Sequence, residues 1–274
     1  MSSSIVFAGI APHPPLLVPE VGGDRIERVA ASQRALREFS KRLIDTNPET
    51  VVVISPHSPM DPRVFTARAE KRLRGNFGEF YAPSVSFDFE NDLALLEAIR
   101  LAADDEGVEL RDLDRNYPLD HGAMVPLYYL REAGWAGPVA VIGFTNQPDE
   151  KHLAFGRAIK GAAWAAGRRV AVVASGDLSH RLIIGGPYEF EPTAHLFDEQ
   201  VVAAIAGGDG GAVTRIDPDL RRRAGECGYR SIVVALGSVG PDLPDHEVLS
   251  YEGPYGVGYM VAVLKEVTSD GPSA

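Results

Sequence analysis

Four runs of strand length constrain the fold most: "SIVFAGI" (4–10), "TVVVIS" (50–55), "PVAVIGF" (138–144) and "RVAVVASG" (169–176). All are rich in β-branched residues, and apart from the leading Arg169 none carries a charge. A strand with one wet face alternates apolar and polar side chains, whereas these read as near-continuous apolar runs. Such strands belong to sheets buried on both faces, where helical crossovers cover them. "VSFDF" (85–89) does alternate, as a half-buried strand would. "EVLSYEG" and "VGYMVAVLKEV" read as closing strands.

Helical patterns fill the intervals. Residues 24–46 place Ile26, Val29, Leu36, Phe39 and Leu43 on one stripe. Asp92 is a candidate cap for a helix carrying Leu95, Leu96, Ile99 and Ala103. Residues 123–132, 150–167 and 226–239 read as further helices, and Phe197, Val201 and Ile205 stripe another. "GGDGG" (207–211) reads as a flexible break. The alternation predicts an α/β fold: a single domain over residues 1–267, with a central mixed β-sheet covered by helices on both faces. Residues 268–274, "TSDGPSA", read as a frayed, disordered tail.

The chain has 274 residues and a formal net charge of -11. That acidity argues against nucleic acid and anionic membrane as partners, since both select a basic face. "EKRLRG" (70–75) and "DLRRRAGE" (219–226) are short basic stretches, read as solvated surface. The lone Cys227 permits no internal disulfide, which fits a reducing compartment. The start lacks a basic n-region and a long apolar h-region, and no apolar run approaches the ~18 residues of a membrane span. A soluble cytoplasmic protein is expected.

Histidines mark the chemistry. His13, His57 and His180 each follow a predicted strand, in "GIAPHPP", "VISPHSP" and "VASGDLSH". His121 lies in "PLDHGAMVPL", just before a helix. In open α/β sheets the ligand crevice lies at the carboxyl ends of the strands, so four loops can bring these four residues together. The flanking prolines stiffen the loops. His152, His195 and His246 lie in polar helical or loop contexts and are expected at the surface. Two imidazoles and a carboxylate make a facial triad for Fe(II), with positions left for substrate and oxygen. Zinc accepts similar ligands, and the remaining histidines suit acid–base work near neutrality.

Taken together, "APHPPLLVPEVG", "ISPHSP", "LDHGAMVPLYYL", "ASGDLSH", "GECGYRSIVVALG" and "YEGPYGVGY" resemble the class III extradiol ring-cleavage dioxygenases, the LigB-type catalytic subunits. The resemblance runs in order from Ile5 to Val263. It is nearest to the Memo-like branch, whose members are grouped in one system with an AMMECR1-like protein and a radical-SAM protein. It implies a LigB-like catalytic domain that cleaves a catechol- or aminophenol-type ring with O2, as in aromatic compound catabolism. It further implies non-haem Fe(II), or zinc or another divalent ion, held by His13, His57 and Glu226. His180 would be the acid/base, and His121, with Asp120 beside it, would lie next to dioxygen. The implied partners are the small aromatic substrate and O2, with a homodimer, a small second subunit or an AMMECR1-like protein as candidates. Memo-like relatives carry a cysteine as third ligand in a segment like "ECGYRS", so Cys227 competes with Glu226. Successive helical residues point about 100° apart, so the two cannot easily share one ion, and a hard carboxylate suits Fe(II). Glu252 is read as structural or pocket-lining.

Two rival readings carry tests of their own. A Memo-like metal-binding protein with lost or altered activity would keep the same histidines. A metallohydrolase would use zinc. A serine hydrolase is disfavoured, because "SGDLSH" is no G-x-S-x-G elbow. "GPYGVGY" is followed by a strand, so it offers no helix N-terminus to a phosphate.

Overall fold

The computed structural model describes residues 4–267; the predicted tail at 268–274 lies outside the described residues. An eight-stranded sheet forms the centre, in the order β6-β3-β7-β2-β8-β1-β10-β9. Its strands are β1 (Ile5–Ala11), β2 (Thr50–Ser55), β3 (Phe65–Ala67), β6 (Leu110–Asp112), β7 (Val139–Gly143), β8 (Val170–Ser175), β9 (Glu247–Glu252) and β10 (Tyr259–Glu266). β7, β2, β8 and β1 run parallel to one another, while β10 and β9 add antiparallel strands at one edge. On the other side β3 pairs antiparallel to β7 and parallel to β6. The sheet is therefore mixed, as the uncharged runs and closing strands implied.

The four parallel strands are buried at every position. Their side chains alternate between two apolar layers. Ile10, Val52, Ile54 and Val172 face one; Phe7, Val51, Val53 and Val173 face the other. The first layer is closed by α3 (Leu93–Asp105), α5 (Asp149–Ala165), α6 (Ala194–Ala206), α7 (Gly210–Val213), α8 (Pro218–Ala224) and α9 (Tyr229–Val239). The second is closed by α2 (Ala30–Asp45) and α4 (His121–Glu132), with the short α1 (Pro19–Gly22) beside them. A two-stranded ribbon, β4 (Arg72–Phe77) with β5 (Ala82–Glu90), also packs there and buries alternate β5 residues. The helix read at 24–46 is divided, with a 3-10 segment over Gly23–Val29 preceding α2. The stretch read as a flexible break holds a cap: Asp209 accepts from the Ala212 N–H and opens α7. Among the described residues no helix is long and apolar enough to cross a membrane.

Candidate metal centre

β1, β2 and β8 are neighbours and run the same way, so they end together. His13 lies two residues past β1, His57 two past β2, and Asp177 and His180 just past β8. α4 begins at His121 beside them. A fourth arm, residues 225–228, leads into α9. It reaches the sheet because Gly176 and Gly228 touch backbone to backbone: a Cβ on Gly176 would lie 2.0 Å from the Gly228 Cα. The Cys227 and Gly228 N–H groups both donate to the Asp177 carbonyl.

His13 is buried, and its tautomer follows from its partners. The Ser175 hydroxyl donates to the Gly122 carbonyl, so its oxygen is left to accept from His13 Nδ1–H at 2.9 Å. Nε2 then carries the lone pair. It faces His57 Nε2 at 3.0 Å and Cys227 Sγ at 3.5 Å. Two imidazole nitrogens bound to one ion at ~2.1 Å and a right angle would stand ~3.0 Å apart. The His57 and His121 rings lie 4.0 Å apart between centroids, and His13 and His121 5.6 Å apart. Potential ligand atoms gather in two sets that share His13: His13, His57 and His121, and His13, Asp177 and Cys227.

Burial disfavours the charged form of each of these groups, least at His57, which is exposed at the mouth. It lowers His13 well below the ordinary histidine range, with His57, His121 and His180 adding repulsion. Burial also lowers His57, partly opposed by the Asp120 carboxylate. His121 and His180 are each pushed down to about 4 by burial and by His57. Burial raises Asp177 to about 7, against the pull of the His13 N–H that donates to it at 3.0 Å. The Cys227 thiol is raised by burial and by Asp177. The three imidazoles make one donor set, and His13 with the Asp177 carboxyl and the Cys227 thiol makes another; a divalent cation fits either.

The structure brings His13, His57 and His121 into one set, and His180 lies near enough to act electrostatically on His13 and to feel His57. Glu226 is elsewhere. Its carboxylate accepts the Tyr229 N–H at 2.6 Å, serving the first turn of α9, and lies toward Arg230 and Arg221. α9 starts at Tyr229, so residues 226 and 227 are loop, and the loop turns Cys227 inward. Asp177, buried within "SGDLSH", escaped the sequence reading. Asp120 caps α4, accepting from the Ala123 N–H at 3.0 Å. Glu252 accepts from the N–H and hydroxyl of Ser32, a structural role. His195 is exposed, but His152 is fully buried, with ring nitrogens 3.1 and 3.2 Å from the Thr145 and Pro148 carbonyls, so the surface expectation fails for it.

The mouth lies on the His57 and His121 side, over a cavity of about 490 Å³ that Leu119 and Met124 help to line. Phe80 meets His121 edge-on at 5.5 Å. Tyr188 stacks on His180 at 4.9 Å. His180 Nε2 is buried with no hydrogen-bond partner among the described residues. A cleft of about 610 Å³ near Arg63, Arg111 and Lys151 is larger, but none of the metal-ligating sets lies there.

Fold and site together define an α/β protein with a histidine-rich candidate metal centre at the carboxyl ends of its parallel strands. Residues 8–262 match the family described as the catalytic LigB subunit of aromatic ring-opening dioxygenase. The chain belongs to that metal-dependent family. It is 32% identical over 269 residues to Protein CA_C1420 of Clostridium acetobutylicum, an alignment covering 95% of this chain and 58% of that protein. The chain thus spans little more than half the length of this curated relative. The crystal structure of uncharacterized protein JW3007 from Escherichia coli K12 shares the fold, with a TM-score of 0.56 and 17% identity over 94% of this chain and 98% of that one.

Proposed function

We propose that the protein is a metal-dependent dioxygenase that opens the ring of a catechol- or aminophenol-type substrate. The observation that carries this reading is the convergence of His13, His57, His121 and His180 at the strand ends of a LigB chain. His13 would hold the metal either with His57 and His121 or with Asp177 and Cys227; Glu226 belongs to neither set. Fe(II), when bound, would supply adjacent positions for the two substrate heteroatoms and for dioxygen. His180 presents a neutral, unpartnered Nε2 that would take a phenolic proton as a base weakened by the burial that holds it at about 4. Tyr188 stacks on the His180 ring, and Phe80 meets His121 edge-on.

A second reading has its own support. Cys227 Sγ, not the Glu226 carboxylate, faces His13, and a thiolate favours softer metals. That favours a Memo-like protein with the same centre and altered chemistry. Anaerobic Fe(II) loading followed by an oxygen-uptake screen with catechols and aminophenols separates the two. Uptake with ring-opened product supports the dioxygenase. A fully loaded protein that consumes no oxygen with any of them refutes it and favours the second reading.

A further inference from the structure

Arg68 is only 1% exposed, although it carries a charge. It follows β3 directly, and its guanidinium joins three segments. Nη1–H donates to Ser58 Oγ at 2.9 Å. Nη2–H donates to the Pro118 carbonyl at 2.9 Å and to Asp120 Oδ2 at 3.2 Å. Nε–H reaches the Tyr117 carbonyl at 3.3 Å. Asp120 completes the network. Its Oδ1 accepts from Ser55 Oγ and the Ala123 N–H, and its Oδ2 accepts from Ser58 Oγ at 2.9 Å as well as from Arg68.

The partners of this pair are the residues around the centre. Ser55 and Ser58 bracket His57. Asp120 caps α4 immediately before His121. Gly122 lets the helix start press against the loop, since a Cβ there would lie 2.5 Å from Ser55 Oγ and 3.1 Å from His57 Cδ2. We infer that Arg68 and Asp120 form a positioning clamp that sets the His57 ring against the His121 ring. The inference rests on the metal-centre reading for its purpose, and on the hydrogen bonds alone for its geometry.

Two arguments favour positioning over the alternatives. An ionised carboxylate has about four acceptor sites, and Asp120 uses four, so none remains to take a proton from a substrate. His180 Nε2, by contrast, has no partner among the described residues. A buried ion pair is also weak evidence for a gain in stability, since apolar replacement often matches it. A pair whose arms end on either side of two site histidines has a geometric task.

The test uses the full chain as Arg68→Met/Asp120→Asn, which removes both charges together. In metal-free protein, imidazole nitrogen NMR should show the His57 and His121 signals shifted or broadened, with His152 and His246 unchanged. Co(II) titration should show affinity reduced ~10–100-fold, the usual cost of losing a group that orients metal ligands. His57 and His121 signals superimposable on those of the wild type overturn the clamp. Failure of the wild type to bind Co(II) sinks the metal reading instead, while the metal-free spectra still judge the clamp. If the double variant does not fold, Ser55→Ala/Ser58→Ala decides: it keeps the ion pair and cuts both of its arms to the His57 loop. The clamp then requires His57 signals to move, and unmoved His57 signals overturn it.

Discussion

Asp198 carries a pH signature that can be worked out from its surroundings. It lies on α6 with no exposed surface, accepting the Ser179 N–H at 2.8 Å and the Tyr251 hydroxyl at 2.7 Å. Gly258 makes room for it, since a Cβ there would lie 2.1 Å from Asp198 Oδ2. Burial raises its pKa to about 6, against the two hydrogen bonds and the neighbouring His195, with Glu199 adding to the rise. The folded state therefore binds the proton more tightly than the unfolded chain. That contribution to stability is full below the ordinary carboxyl pKa near 4 and is lost as pH rises through about 6. The shift of about two units corresponds to ~3 kcal/mol. Asp198→Asn keeps an acceptor for Ser179 and removes the titration. Urea unfolding of both chains from pH 4 to 8 should show the variant's relative stability climbing with pH by ~3 kcal/mol, most of it between pH 4 and 6.5. Groups common to both chains, Asp177 and Glu226 included, cancel in the difference. A pH-independent difference, or one falling with pH, refutes the argument.

Cys227→Ser should weaken Co(II) binding at least ~10-fold and abolish any thiolate-to-metal absorption, whereas Glu226→Ala should keep the affinity and lose only about 1 kcal/mol as a helix-start acceptor; the reverse pattern in titrations would restore Glu226 as the ligand. Gly176→Ala puts a Cβ where ordinary contact requires more than an ångström of extra room; it should cost ~1–3 kcal/mol or more in unfolding experiments and weaken metal binding, because the same contact places Cys227. His180→Ala should leave metal content at the wild-type level in elemental analysis while abolishing most substrate-dependent oxygen uptake; wild-type rates would remove His180 from proton transfer.

Strands buried on both faces write themselves into sequence as uncharged β-branched runs, so β1, β2, β7 and β8 were legible, and with them the histidines at the strand ends. β3 and β6 have three residues each, too few to carry a period. The ribbon strand β4 alternates charge with burial because it packs outside the main sheet. His152 misled because its sequence neighbours Asp149, Glu150 and Lys151 are charged; helix phase, not local polarity, turned its ring inward. Which of Glu226 and Cys227 faces the centre was illegible for a related reason. The two were read as the start of a helix but lie in the loop before α9, and that loop is seated by the Gly176–Gly228 contact, between residues far apart in the chain.

Arg68 shows the same limit from the other side. In sequence it is one basic residue near a short charged stretch. Its meaning depends on two serines ten and thirteen positions earlier and an aspartate fifty-two positions later, joined only when β2, β3 and the start of α4 meet. His13 is held by Ser175, and His121 and His180 meet aromatic rings, but the His57 ring is exposed at the mouth. An ionised pair behind His57 can fix its loop, because that pair is satisfied in only one arrangement. On this argument the Arg68–Asp120 pair lies one layer behind the site histidines, where it orients the His57 loop and the start of α4.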